Sequence, residues 1–190
     1  HMARARASDL VAASAQADLV IGAGDFCNMR QGLGLAMEML SGISVPMVMV
    51  PGNAESADEL RAVALPNMTV LHGTGTEIDG LRLFGLGYGV PVTPFGEWSC
   101  DLSEKFAAQM LEACTSADIL ITHSPPKGVA DLTSGGMSVG STAIRAAIER
   151  VQPKLALCGH IHDSWGTRAF IGNCDVVNLG PTENWFEVDH

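Results

Sequence analysis

Lys154-Leu155-Ala156-Leu157-Cys158-Gly159-His160-Ile161-His162 is an apolar run that stops abruptly on a glycine and two histidines. A short apolar run closed by a turn signal fits a strand buried on both faces. The glycine lets the backbone turn sharply at the strand end. Toward the N-terminus three more apolar runs stop in the same manner. Ala17-Asp18-Leu19-Val20-Ile21-Gly22-Ala23 ends on Gly24-Asp25, Val45-Pro46-Met47-Val48-Met49-Val50 on Pro51-Gly52-Asn53, and Ala117-Asp118-Ile119-Leu120-Ile121-Thr122 on His123.

Helix-forming segments lie between these runs, over Ala7 to Ala15, about Gly32 to Leu40, from about Ala57, and over Ser103 to Ala113. Ser141 or Thr142 can cap another helix that runs to about Arg150. Alternating helices and buried strands predict a layered α/β fold. The middle is different. Met68 to Leu71, Thr76 to Ile78 and Leu81 to Leu86 are short β-rich pieces, and Asp79-Gly80 signals a hairpin. Gly87 to Ser99, rich in Gly, Pro and aromatic residues, is expected to overhang a site. The chain closes with a hairpin around Gly172-Asn173 and an expected last strand near Trp185. No repeat, low-complexity tract or linker divides residues 1–190, so one domain is expected.

Composition narrows the function classes. The 190 residues are 47% hydrophobic and 17% charged, which excludes a disordered tail. The net charge of −10 leaves no basic face for a nucleic-acid backbone. The same charge would repel anionic substrates unless bound cations reverse the local field. The five cysteines, Cys27, Cys100, Cys114, Cys158 and Cys174, form no C-x-x-C pair and read as free thiols. With no apolar run of membrane-spanning length and no signal-peptide core at the start, a soluble, cytoplasmic protein is expected.

In an open α/β sheet the carboxyl ends of parallel strands share one edge, so Asp25, Asn53, His123, His160 and His162 are expected to converge there. One carboxylate, one amide oxygen and three imidazoles form a donor set of mixed hardness, better suited to Mn, Fe, Zn or Co than to Ca or Mg. Two such cations about 3.5–4 Å apart can clamp a phosphoryl group and activate a bridging water. Asp25 is the natural bridge. Taken singly, Asp25 and Asn53 would read as turn or cap residues, and His123 as a histidine satisfied in a turn; the ordered ensemble points to ligands.

Gly24-Asp25, Gly52-Asn53, His123 and Gly159-His160-Ile161-His162, in that order over most of the chain, resemble the signature of the calcineurin-like metallophosphoesterases. The resemblance implies an αββα sandwich of two mixed sheets flanked by helices, two divalent metal ions, and attack of a metal-activated water on a phosphoester without a covalent phosphoenzyme. It implies that Asp25 bridges both metals, that Asn53, His123 and His160 hold the second, and that His162 holds the first. Asn53 and His162 are also the candidate catalytic residues.

Two departures qualify that picture. The family's N-terminal Asp-x-His and its opening strand have no counterpart in this sequence. His1 stands at a distance from Asp25 that resembles the motif's histidine, which makes it a candidate ligand; alternatively His1-Met2 is the remnant of a purification tag. Neither reading supplies the aspartate, so a weakened first metal site is expected. Ala54 follows Asn53 where many members place a histidine to protonate the leaving group, which points toward small phosphodiesters. The rival reading is a non-catalytic scaffold or protein-binding module with an incomplete metal site.

Other polar residues read more plainly. Gly172-Asn173-Cys174-Asp175 copies a variant of the third motif out of order and reads as a hairpin turn. Ser134 to Gly140 lacks a Gly-Lys-Ser/Thr ending and reads as a mobile loop before a capped helix. Lys127 reads as a solvated lysine that could alternatively touch a substrate phosphate. Asp163 could orient a ligand imidazole and Trp165 could pack on the site rim, while His72 and His190 have no partner pattern.

Overall fold

Val48 and Val50 pack with Ile119, Ile121, Leu155 and Leu157, whereas their strand neighbours Met47 and Met49 pack with Ala7, Met37 and Leu60. Successive residues of one strand thus serve different layers, which is why these strands are apolar on both faces. A computed structural model describes residues 4–189. The first half contains α1 (Arg4–Ser14), β1 (Val20–Gly22), α2 (Leu33–Met39), β2 (Met47–Met49), α3 (Ala57–Val63) and β3 (Met68–Val70). Its strands form a parallel sheet in the order β1-β2-β3.

The second half contains β4 (Thr74–Ile78), β5 (Leu81–Leu86), α4 (Glu104–Leu111), β6 (Ile119–Thr122), α5 (Thr142–Val151), β7 (Leu155–Cys158), a 3-10 turn at His162–Ser164, β8 (Arg168–Ile171) and β9 (Cys174–Asn178). These strands lie in the order β4-β5-β6-β7-β9-β8, antiparallel only at the two edges. Leu120, Ala156 and Val176 face Ala107, Leu111, Ile144 and Ile148 of α4 and α5. Ile119, Ile121, Leu155 and Leu157 face the first sheet. The result is the expected helix–sheet–sheet–helix sandwich, with one refinement: the three-stranded sheet is wholly parallel and only the six-stranded sheet is mixed. Truncating a fully buried residue of the middle layer such as Ile121 to alanine would cost about 2–5 kcal/mol.

Local chemistry sets the element ends. Ser56 and Glu59 form a reciprocal capping box at the start of α3, and the Ser103 and Ser141 hydroxyls cap α4 and α5. The Asp79-Gly80 and Gly172-Asn173 turns close hairpins β4–β5 and β8–β9. Two expectations change. The four motif-bearing strands do not share one sheet edge; β1 and β2 belong to the parallel sheet, β6 and β7 to the mixed one. The strand expected near Trp185 is not formed. There the Asn184 side chain donates to the carbonyls of Leu179 and Thr182, curling the segment locally, while Phe186 and Val188 pack on the inter-sheet core. No described helix is long and apolar enough to cross a membrane.

His72, without a role in the sequence, acquires a structural one. Its Nδ1 accepts from the Gly87 N–H at 3.2 Å and its ring lies 4.2 Å from that of Tyr88. Burial, reinforced by the Arg61 charge, pushes its pKa down from 6.5 to about 4. The folded state therefore favours the neutral ring, so this contribution to stability is complete above about pH 6.5 and is lost as the pH falls toward about 4. We expect His72→Asn, which keeps an acceptor near Nδ1, to show a smaller loss of unfolding free energy between neutral pH and pH 4 than the unsubstituted chain in denaturant titrations. Equal losses would contradict the role.

Candidate active site

Two glycines allow the strand ends to meet. A Cβ on Gly24 would lie 2.5 Å from Gly52 Cα and 2.6 Å from His123 Nδ1, and one on Gly52 would lie 2.1 Å from the Asp25 backbone nitrogen. Gly-Asp and Gly-Asn are therefore steric requirements: the loops after β1 and β2 touch backbone to backbone against an imidazole from the other sheet. Gly24 also has φ 95°, and Asp25 itself sits at φ 58°, a left-handed conformation that a non-glycine residue holds only when its surroundings enforce it.

His123, 1% exposed, is the centre of the cluster. Its Nδ1 lies 2.7 Å from Ala23 O, which can only accept, so Nδ1 carries a proton. Its Nε2 then faces Asn53 Oδ1 at 3.1 Å and Asp25 Oδ1 at 3.5 Å. The Asn53 amide is oriented by its Nδ2, which donates to Ser99 Oγ at 3.0 Å. Three lone-pair atoms aimed at one another are repulsive unless a proton or a cation lies among them, so this donor set fits a cation. His160 completes the group, its ring centroid 4.8 Å from that of His123. Burial and the neighbouring His123 push His160 down to about 3, which keeps its ring neutral and able to ligate. Burial works against the Asp25 carboxylate, while the Ala54 N–H, donating to Oδ1 at 3.1 Å, favours its ionised form.

Asp25, Asn53, His123 and His160 are thus brought together. His162 is exposed, opens the 3-10 turn, lies against Trp165 with centroids 4.3 Å apart, and interacts electrostatically with Asp25, His123 and His160. It shares with Asp25, His123 and His160 the wall of a cleft of about 950 Å³. His1 lies outside the described residues. Among the described residues, no three or more His, Cys, Asp and Glu side chains are posed together to hold an ion; the convergence at His123 needs the amide oxygen of Asn53.

A family model described as calcineurin-like phosphoesterase matches residues 3–164. The chain belongs to this family. Among curated relatives it is 32% identical to the Caenorhabditis elegans UPF0046 protein K07C11.7 over 60% of this chain and 38% of that protein. It is 34% identical to the human metallophosphoesterase domain-containing protein 1 over 63% of this chain and 36% of that protein. The match therefore spans well under half the length of these relatives. Among solved structures, the Thermus thermophilus protein TT1561 superposes with a TM-score of 0.71 at 20% identity, covering 93% of this chain and 83% of that one. The T. thermophilus sulfate thiohydrolase SoxB superposes with a TM-score of 0.52 at 17% identity, covering 94% of this chain and 37% of that one. At these identities the structural likeness is one of fold.

Some residues around this cluster escaped the sequence reading. Glu55, fully buried, accepts from the Gly52 N–H at 2.6 Å and the Cys27 N–H at 3.3 Å, clamping the Asp25 and Asn53 loops together. It follows Gly52-Asn53-Ala54 directly, but a carboxylate that acts only on backbone leaves no spacing signal. Phe95 meets the His160 ring edge-on at 6.3 Å, so the loop from Gly87 does reach the site as expected. Lys127 donates to Ser138 O, and Asp163 accepts from Ser134 N at 2.7 Å, so that carboxylate anchors the Gly-rich loop. We expect Glu55→Ala to leave two buried N–H groups unpaired and to lower stability by about 3 kcal/mol in denaturant unfolding. A loss below about 0.5 kcal/mol, the scale of an ordinary surface substitution, would show that the clamp is not structural.

Proposed function

We propose that this chain is a metal-dependent hydrolase of small phosphodiesters. The observation that carries the reading is the convergence of Asn53 Oδ1, at 3.1 Å, and Asp25 Oδ1, at 3.5 Å, on His123 Nε2 at the joined strand ends. In this reading Asp25, Asn53, His123 and His160 hold one divalent transition-metal ion (Mn, Fe, Zn or Co), Asp25 and His162 contribute to a second, and the bound ions supply a water of near-neutral pKa and neutralise phosphate charge.

The chain's own residues prepare that chemistry. Ala23 O holds the His123 proton on Nδ1 and leaves the Nε2 lone pair free to ligate. Ser99 turns the Asn53 oxygen inward. Phe95 against His160 and Trp165 against His162 make the rim aromatic. The cleft suits a small ester, and the net charge of −10 disfavours a polyanionic polymer. Ala54 offers no proton to a departing oxygen, so the leaving group departs on its own acidity. The five unpaired cysteines support a reducing, cytoplasmic setting.

Hydrolysis of bis(4-nitrophenyl) phosphate by the full chain, stripped of metal and then titrated with Mn²⁺, tests this reading. We expect activity that needs metal and falls more than about 100-fold in His160→Ala, since even residues that merely support metal ligands are worth about 10–100-fold. Rates should also fall steeply as the leaving group becomes less acidic. Metal titration should show one tight and one weaker ion, because His162 is exposed to solvent whereas His123 is buried. Activity indistinguishable from that of His160→Ala would favour a non-catalytic scaffold.

A further inference from the structure

His160 is held in an unusual backbone. Its φ is 65°, and the Ile161 N–H donates to Gly159 O at 2.7 Å across it. This is the rarer, positive-φ kind of γ-turn, strained for a residue with a side chain. Something must hold it, and the residue in place to do so is Asn178 at the end of β9. Fully buried, Asn178 directs its side-chain nitrogen at three carbonyls: Gly159 O at 3.2 Å, Ile161 O at 3.1 Å and Ala130 O at 3.1 Å. The first two flank His160 in sequence. The third belongs to the loop that follows His123, which Asp131 knots by accepting from Gly128 N, Ser138 Oγ and Gly140 N.

The amide orientation is forced, because flipping it would set Oδ1 against three carbonyl oxygens. As oriented, Oδ1 is one of two buried side-chain oxygens without a hydrogen-bond partner among the described residues, the other being Asp131 Oδ1. An unpaired buried acceptor is unfavourable, so fold stability alone does not explain an asparagine here. The geometry points to Asn178 as the positioning residue of the site: a single side-chain amide staples both shoulders of the His160 turn and locks that turn to the loop after His123, fixing the direction of the His160 imidazole. As a statement about metal binding this rests on the proposed function; as a statement about the turn it does not.

The test compares Asn178→Ala with Val176→Ala, a core truncation two residues earlier on the same strand. In the metal-free protein, the Ile161 amide of Asn178→Ala should exchange with solvent at least about tenfold faster than in Val176→Ala after correction for global stability. Equal exchange overturns the staple. With Co²⁺ as probe, Asn178→Ala should lose about 10–100-fold in affinity and show an altered visible spectrum, the range found for residues that orient metal ligands, while Val176→Ala keeps both. Equal effects would reduce Asn178 to a stability residue. If the unsubstituted chain binds no Co²⁺, the proposed function fails and the exchange result still decides the staple. Should Asn178→Ala not fold, the Asn178 side-chain NH₂ of the unsubstituted protein decides: slow exchange is expected, and exchange as fast as that of an exposed asparagine overturns the inference.

Discussion

The hydrogen bond between His123 Nδ1 and Ala23 O, 2.7 Å long, joins the end of a strand in the mixed sheet to the end of a strand in the parallel one. The rest of the site follows from it. It requires glycine at positions 24 and 52, since a Cβ at either would occupy the space of the imidazole or of the neighbouring backbone. It also fixes the tautomer, so Nε2 presents a lone pair toward Asp25 and Asn53. Apolar packing between the sheets brings the strand ends to the same region, but packing is non-directional. The directional contact is what turns a shared region into a set of converging donors.

Much of this was legible because it is written locally. Buried strands announce themselves as apolar runs, Ser56 and Glu59 announce a helix start, and Asp79-Gly80 announces a hairpin. Asp25, Asn53, His123 and His160 could be picked out because each ends such a run. Glu55 and Asn178 could not, since their partners are backbone groups of distant segments and any sequence can supply those. One signal did exist for Asn178: Val176-Val177-Asn178-Leu179-Gly180 is another apolar strand ending on a polar residue, the same pattern that marked the others. The segment around Trp185 went the other way. A last strand was expected there, but the Asn184 side chain serves nearby carbonyls and turns the chain.

The cluster is built with strain at two of its own members. Asp25 and His160 both hold left-handed backbone, at φ 58° and 65°, each costing about 1–3 kcal/mol. Both are braced by buried side chains that touch backbone: Glu55 binds Gly52 N and Cys27 N beside Asp25, and Asn178 binds the carbonyls on either side of His160. The strained residues are donors of the cluster, and the bracing side chains hold the backbone around them.

The charge of the whole chain bears less on this site than its size suggests. At physiological salt, exposed charges farther than about 8 Å away are largely screened, so most of the net −10 is not felt in the cleft. What a substrate meets there is local: one aspartate, one amide and the imidazoles, with His160 kept neutral by burial and Glu55 just behind. Burial, aided by Asp25, pushes the Glu55 pKa up, so two carboxylates compete for the same small volume. A divalent cation held as proposed would relieve that competition and the crowding of lone pairs at His123 together. In the proposed function, the crowding that disfavours the bare donor set would be what favours a cation there, and through it a phosphate anion.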